Sequence, residues 1–308
     1  MIVDAHAHIY DILAGYGARG ECRALGKGRG IWATGEIEQF FPEEYGDLGF
    51  SAETLVRLME ESGVDHAVLL QGGNYGFHND YAAEAAGKYP DKFTAVGTLD
   101  PYGVNFLKIL ERFVTDYKFC ALKFEVSQSW GLSGYHPYLK MDDAAFAPIL
   151  ERANELGMTI VIDMGPMGTS GFDISALKKI AAGYPDITFV MTHCFFPRED
   201  GKNEQRLEYM RELVSDHFVF DISNISRIYW VEPWTFLKKV RSSLGAERML
   251  WGTDIPGTLN QFTYRRMIEF VTESDIFKPE ELELVMGKNA ERVYCIEERK
   301  EKVYGKKY

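Results

Sequence analysis

Positive charge is what this 308-residue sequence has least of: 34 Lys and Arg stand against 46 Asp and Glu, a formal net charge of −12. Nucleic acid, which rewards clustered cations, is therefore not an expected partner. No run approaches the roughly 20 apolar residues that span a bilayer, so no membrane partner is expected either. The N-terminus lacks the charged-then-apolar layout of a secretion signal. Cysteine is scarce. Its four copies, Cys22, Cys120, Cys194 and Cys295, are far apart and form no CxxC, which argues against a disulfide framework. Cys120 and Cys194 fall in predicted strands and are expected to be buried free thiols. No GxGxxG follows the first strand, so dinucleotide binding has no support. A cytoplasmic enzyme acting on a small molecule fits these absences.

What is present is a regular alternation. Short apolar runs occur at 2–8, 66–71, 93–99, 120–126, 159–165, 188–194, 218–223 and 249–254. Their near-continuous hydrophobicity suits parallel strands covered on both faces. Helical patterns lie between them. The stretch 51–63 opens on Ser51 and closes at Gly63, and 142–157 opens on Asp142 and ends at Gly157. Similar spacing recurs near 79–89, 104–116, 173–183, 203–215, 233–244 and 260–273. Eight strand–helix units predict an α/β fold, a single-domain (β/α)8 TIM barrel over 1–308. Two long loops interrupt it, a Gly-rich insertion at 10–50 after strand 1 and a Trp/Tyr-rich loop at 127–141 after strand 4. Both are expected at the C-terminal face, where barrel enzymes keep their sites.

Polar residues near the ends of such apolar strands are costly unless they have partners. They are His6 and His8 in DAHAH, Lys123 and Glu125, Asp163, His193, Asp221 and Asp254. In an extended run, His6 and His8 share one face, as half of a metal site would. Eight such residues at one barrel mouth describe a metal-dependent catalytic site better than unrelated core defects. Each has a plainer alternative. His193 could be a hydrogen-bonded core histidine, Asp221 a structural acceptor, and Lys123 a partner for Glu125.

The sequence resembles a known family through DAHAH, GGNYGFHNDYAAEAAGKYPDKFTAVGTLDP (72–101), LKFE, GYPDITFVMTHC (183–194), WGTDIP (251–256) and GKNAERVY (287–294). Together these look like the amidohydrolase superfamily. More narrowly they resemble the metal-dependent branch that includes aminocarboxymuconate-semialdehyde decarboxylase. The resemblance implies that His6 and His8 bind the metal. It also implies that His193 binds a second metal or hydrogen-bonds the substrate, and that Asp254 binds metal and moves the proton. One position departs: histidine is usual at the end of strand 5, where this chain has Asp163.

Asp163 as a ligand, with His6, His8 and Asp254, would make the first shell harder and tilt it from Zn²⁺ toward Mn²⁺. Alternatively Asp163 does not reach the ion, or Lys123 takes up CO₂ and bridges two metals. One divalent ion, Zn or Mn, is the expectation. Such an ion lowers the pKa of bound water to roughly 7. Asp254 would then act as the catalytic base and His193 as the oxyanion stabiliser, on an ester, lactone or amide. Nonoxidative decarboxylation of a small carboxylic acid is the alternative, and a non-catalytic ligand-binding barrel a third. Arg19, Arg23, Lys27 and Arg29, beside Trp32 on the flexible insertion, suggest a carboxylate-bearing substrate; a solvated loop is the plainer account. Lys123, Glu125, Trp130, His136, Tyr75 and His78 complete the candidate substrate-binding set. The charged C-terminal tail packs loosely or joins a subunit contact, and a homo-oligomer is compatible with such a barrel.

Overall fold

A computed structural model describes residues 1–215, 217–224 and 234–297. In chain order, β1 (Val3–Ala7) is followed by an inserted β2 (Tyr16–Gly17), β3 (Gly20–Gly26), β4 (Arg29–Trp32) and β5 (Ile37–Gln39), then α1 (Ala52–Ser62). Strand–helix pairs continue as β6 (His66–Leu69), α2 (Asn79–Lys88), β7 (Phe93–Ala95), α3 (Phe106–Thr115), β8 (Ala121–Glu125) and α4 (Ala147–Glu155). The last four are β9 (Thr159–Asp163) with α5 (Ile174–Gly183), β10 (Thr188–Met191) with α6 (Asn203–Leu213), β11 (Phe218–Asp221) with α7 (Thr235–Leu244), and β12 (Met249–Leu250) with α8 (Tyr264–Thr272). All eight expected strands are present, each followed by a helix. The fold is the α/β barrel.

The strands run parallel in two arcs, β1-β6-β7 and β12-β11-β10-β9-β8. Backbone bonds join the arcs at two seams. Gly97 N–H donates to Ala121 O and Lys123 N–H to Gly97 O, at 3.1 and 2.8 Å. At the other seam, Ala5 N–H donates to Trp251 O, Asp254 N–H to His6 O and His8 N–H to Ile255 O, at 3.0, 2.8 and 2.9 Å. Every barrel strand contributes a small or branched residue to one interior layer, Ala5, Val68, Val96, Ala121, Val161, Val190, Val219 and Leu250, with Val96 just beyond β7. Val293, Tyr294 and Ile296 pack against that layer. Two residues further along their strands, Lys123, Asp163 and Asp221 share the same inward face one layer higher.

A β-bulge decides where the histidines go. Asp4 pairs with Ala67 but Ala7 pairs with Leu69, so β1 carries one residue more than its partner. Before the bulge, Val3 and Ala5 pack in the barrel interior. Beyond it Ala7 joins the layer between strands and helices, while His6 and His8 line the cavity at the mouth. Asp4, wholly buried, fastens this strand to the final seam. Its Oδ1 accepts from the N–H groups of His6 and Thr253 at 3.1 and 2.9 Å. Its Oδ2 accepts from Thr253 Oγ1 and Tyr264 OH at 2.6 and 2.7 Å.

Several boundaries differ from the sequence expectation. The strand expected to reach residue 194 stops at Met191, because His193, Cys194, Phe195 and Phe196 all take left-handed φ, 55, 46, 60 and 53°. That costs about 1–2 kcal/mol per residue. Arg206, 1% exposed, pins the turn: its Nε donates to Phe195 O at 3.0 Å, and its Nη atoms bond Asp200 at 2.7 Å. The strand expected to reach 254 likewise stops at Leu250, and Asp254 has φ 61°. The helix expected from Asp142 begins at Ala147, with Pro148 in its first turn, and the one expected from 260 begins after the Thr263 cap. Ser51 and Gly63 do cap α1 as expected: Ser51 Oγ accepts from Thr54 N–H at 3.1 Å and Gly63 has φ 76°. The insertion is not a flexible loop. Its strands form a four-stranded antiparallel sheet, because Cys22, Trp32 and Phe40 turn into the core. Cys194 is buried in the left-handed turn, whereas Cys120 is only half-buried, one residue before β8. The C-terminal tail beyond Glu297 lies outside the described residues, as does Pro233 at the start of the expected helix at 233–244.

Removing one donor from Asp4 leaves a buried carboxylate short of a partner. Tyr264→Phe is therefore expected to lower unfolding free energy by about 1–3 kcal/mol in urea titration. The denaturant slope should stay unchanged.

Candidate metal centre

Three potential ligand atoms converge where the β1 seam meets the segment after β12. His6 Nε2 and His8 Nε2 lie 3.2 Å apart, and Asp254 Oδ1 is 3.6 and 3.2 Å from them. Their other ring nitrogens are committed: His6 Nδ1 donates to Asp221 Oδ2 at 2.7 Å, and His8 Nδ1 to Leu70 O at 3.0 Å. Those acceptors select the tautomer in which both Nε2 atoms present lone pairs. Burial disfavours the charged imidazoles, lowering His6 and pushing His8 down to about 4. Two lone pairs and a carboxylate oxygen then face one another with no proton between them, which is repulsive unless a cation joins them. A tetrahedral ion with bonds of about 2.0–2.1 Å needs its donors about 3.3 Å apart. The donor set fits a divalent ion.

Asp254 is held for this task. Asn224 Nδ2 donates to its Oδ2 at 2.9 Å, leaving Oδ1 for the imidazoles. Burial resists its ionisation, but the charge of His193 leads the opposing effects, so the carboxyl stays well below the usual range. Gly252 explains one letter of WGTDIP: a Cβ there would sit 2.8 Å from His6 Cβ.

His6, His193 and Asp221 form a second cluster, but its atoms are largely spent on one another. Asp221 takes the His6 bond and the N–H groups of His193 and Ser223, at 3.1 and 2.9 Å. Ser223 Oγ bridges Asp221 and His193 Nδ1, the latter at 2.7 Å. This cluster orients rings. The His193 ring lies tilted 4.7 Å from that of His6, with Nε2 3.5 Å from Asp163 Oδ2. Burial opposes its charge, yet Asp254, Asp163 and Asp221 prevail and raise its pKa.

Asp163 faces His193, and neither cluster contains it. Its Oδ1 accepts from Gly165 N–H at 2.8 Å, so the geometry pairs it with His193 rather than adding a fourth ligand. Lys123 and Glu125 line the cavity, and burial, with Asp163 nearby, pushes Glu125 up to about 7 against the pull of Lys123. Gly72 leaves room for that carboxylate, since a Cβ there would meet Glu125 Oε2 at 2.5 Å.

Tyr75 and Trp130 also line the cavity, of about 470 Å³, the size of a small-molecule site. The remaining predicted contacts do not. Arg19 pairs with Glu36 and Glu38 at 3.3 and 2.6 Å, Arg23 is exposed on β3, and Lys27 pairs with Glu43 at 3.3 Å. The β-sheet of the insertion turns these cations away from the cavity. His136 bonds Asp100 at 2.8 Å, and His78 bonds Tyr75 O within its own loop at 3.0 Å. Sequence reasoning missed Ser223, Asn224 and Glu38. The DISN that closes β11 was a usable signal for the first two, whereas nothing local marks Glu38.

The family model described as amidohydrolase matches residues 3–296. The chain belongs to the amidohydrolase family. Solved structures agree on the fold. An amidohydrolase from Burkholderia multivorans with bound zinc is 16% identical, with TM-score 0.71 over 96% of this chain and 99% of that one. A probable 2-pyrone-4,6-dicarboxylic acid hydrolase from Acinetobacter baumannii with citric acid bound is 13% identical, with TM-score 0.68 over the same shares, 96% and 99%. A 5-carboxyvanillate decarboxylase from Sphingomonas paucimobilis is 18% identical, with TM-score 0.55 over 78% and 82%. A comparison with curated protein sequences finds no match. No helix among the described residues is long and apolar enough to cross a membrane.

Elemental analysis of this amidohydrolase should give about one equivalent of Zn or Mn. His8→Ala should lose it and Asp163→Ala should retain it. Loss in both would restore Asp163 as a ligand, and about two equivalents would promote the second cluster or Lys123.

Proposed function

We propose that this amidohydrolase is a metal-dependent hydrolase of a small ester, lactone or amide. The observation that carries the reading is the convergence of His6 Nε2, His8 Nε2 and Asp254 Oδ1, with the cationic-leaning His193 ring 4.7 Å from that of His6. His6, His8 and Asp254 would hold one divalent ion, Zn or Mn. When bound, it supplies Lewis acidity, lowering the pKa of a coordinated water and polarising a carbonyl.

The protein's own groups do the rest. Asp254, kept ionised, accepts the proton of the attacking water and returns it to the leaving group. His193, its charge favoured by Asp163 and Asp221, donates to the oxygen on which negative charge grows. Asp221 and Leu70 O hold the His6 and His8 rings in register, and Asn224 holds Asp254. Lys123 offers one cation to the substrate or to Glu125. Tyr75, tilted 4.9 Å from His8 and stacked on Tyr10 at 4.8 Å, walls the site.

Decarboxylation uses the same residues and is the second reading. Hydrolysis is favoured by the charge of the cavity. Glu38, Glu125, Asp163 and Asp254 line it against Lys123 and His193. These acids already match Lys123, His193 and a bound divalent ion, so no surplus cation draws in a carboxylate, and a neutral lactone or amide needs none.

The two reactions differ in products. Hydrolysis of an ester or lactone yields a carboxylic acid and, near neutral pH, acidifies the solution, whereas the amine freed from an amide takes up that proton; decarboxylation consumes a proton and frees CO₂. Metal-loaded protein screened in a pH-stat with a CO₂ sensor should acidify ester or lactone solutions, and an amine assay should detect amide cleavage. His193→Asn should lower kcat about 10²–10³-fold with metal content unchanged. CO₂ release from aromatic acids without hydrolysis in the panel would replace this reading with the second.

A further inference from the structure

The sheet inserted after β1 supplies Glu38, Gln39 and Phe40 to the wall of the metal-site cavity. Glu38 is set there firmly. Its Oε2 accepts from Arg19 Nη2 at 2.6 Å and from Trp32 Nε1 at 2.8 Å. Arg19 in turn lies over the buried Trp32 ring at 4.1 Å, so the three side chains fix one another. Both bonds fall on one carboxylate oxygen, and Oε1 takes part in neither.

The lining contains no arginine among the described residues, and its cations are Lys123 and His193 alone. A dicarboxylate is recognised by paired cations, usually arginines. Here a second carboxylate would meet Glu38 instead, an unfavourable like-charge contact.

We infer that Glu38 is a specificity-determining residue, selecting a substrate that presents an amine, amide or other N–H donor to the inserted sheet and carries at most one carboxylate. Dicarboxylates are rejected. The inference rests on the hydrolase reading of the site, but its test measures binding alone.

The test is isothermal titration of the full, metal-loaded protein with benzoate, benzene-1,3-dicarboxylate and 3-(aminomethyl)benzoate, which share one ring and one carboxylate. The wild type should bind the aminomethyl compound at least about tenfold more tightly than the dicarboxylate. Glu38→Gln should shrink that ratio about tenfold or more, with metal content unchanged. Arg19→Gln, which keeps the carboxylate and removes its partner, should preserve the preference. A ratio near one in the wild type would overturn the inference, as would no detectable binding of any probe. So would an unchanged ratio in Glu38→Gln, or loss of preference in Arg19→Gln, since Glu38 would then serve only to hold Arg19. Metal content and turnover, measured separately, report whether the hydrolase reading stands.

Discussion

The seam between β1 and the segment 251–255 is the constraint on which the site depends. It joins the first and last strands of the barrel, and the same backbone bonds bring His6 and His8 to Asp254. Closure of the fold and assembly of the donor set are one event. Asp4 fastens that seam from the helix side, with Thr253 and Tyr264 donating to it inside the core. A buried carboxylate with four donors is tolerable where an unpaired one is not. Asp4, the first letter of DAHAH, is thus part of the frame.

Above the seam, the strands act as a ruler. Interior positions alternate, so one layer of small and branched residues fills the barrel and the next inward position carries Lys123, Asp163 or Asp221. Polar groups at the mouth are held to fixed partners, and burial, together with their charges, pushes their pKa values apart. Asp254 stays ionised, His8 stays neutral, His193 leans cationic and Glu125 sits near neutrality. A site built for proton movement and carbonyl activation needs such a spread. Backbone strain collects at the same place, in the left-handed turn 193–196 and at Asp254.

Much of this was legible in the chain. Parallel barrel strands are covered on both faces, so they stand out as short apolar runs, and the polar residues ending them stand out in turn. HxH and the Asp of WGTDIP were readable for that reason. Less legible was anything set by contacts distant in sequence. Arg19 and Arg23 look like a cationic patch in one dimension, but pairing within the insertion carries them off the cavity and delivers Glu38 in their place. Asp163 reads as a ligand because it occupies a ligand's position, yet its carboxylate faces His193.

The sequence by itself determined the strand–helix alternation, the family and the identity of the chemical groups at the barrel mouth, because burial periodicity and residue chemistry are local properties. Only the tertiary structure decided which of those groups meet. A bulge of one residue in β1 turns both imidazoles inward, which no period-2 pattern contains. The left-handed turn after β10 aims His193, held by an arginine from the next helix. Distances of 3.2–3.6 Å among three donors arise from segments some 250 residues apart, and only closure of the ring fixes them.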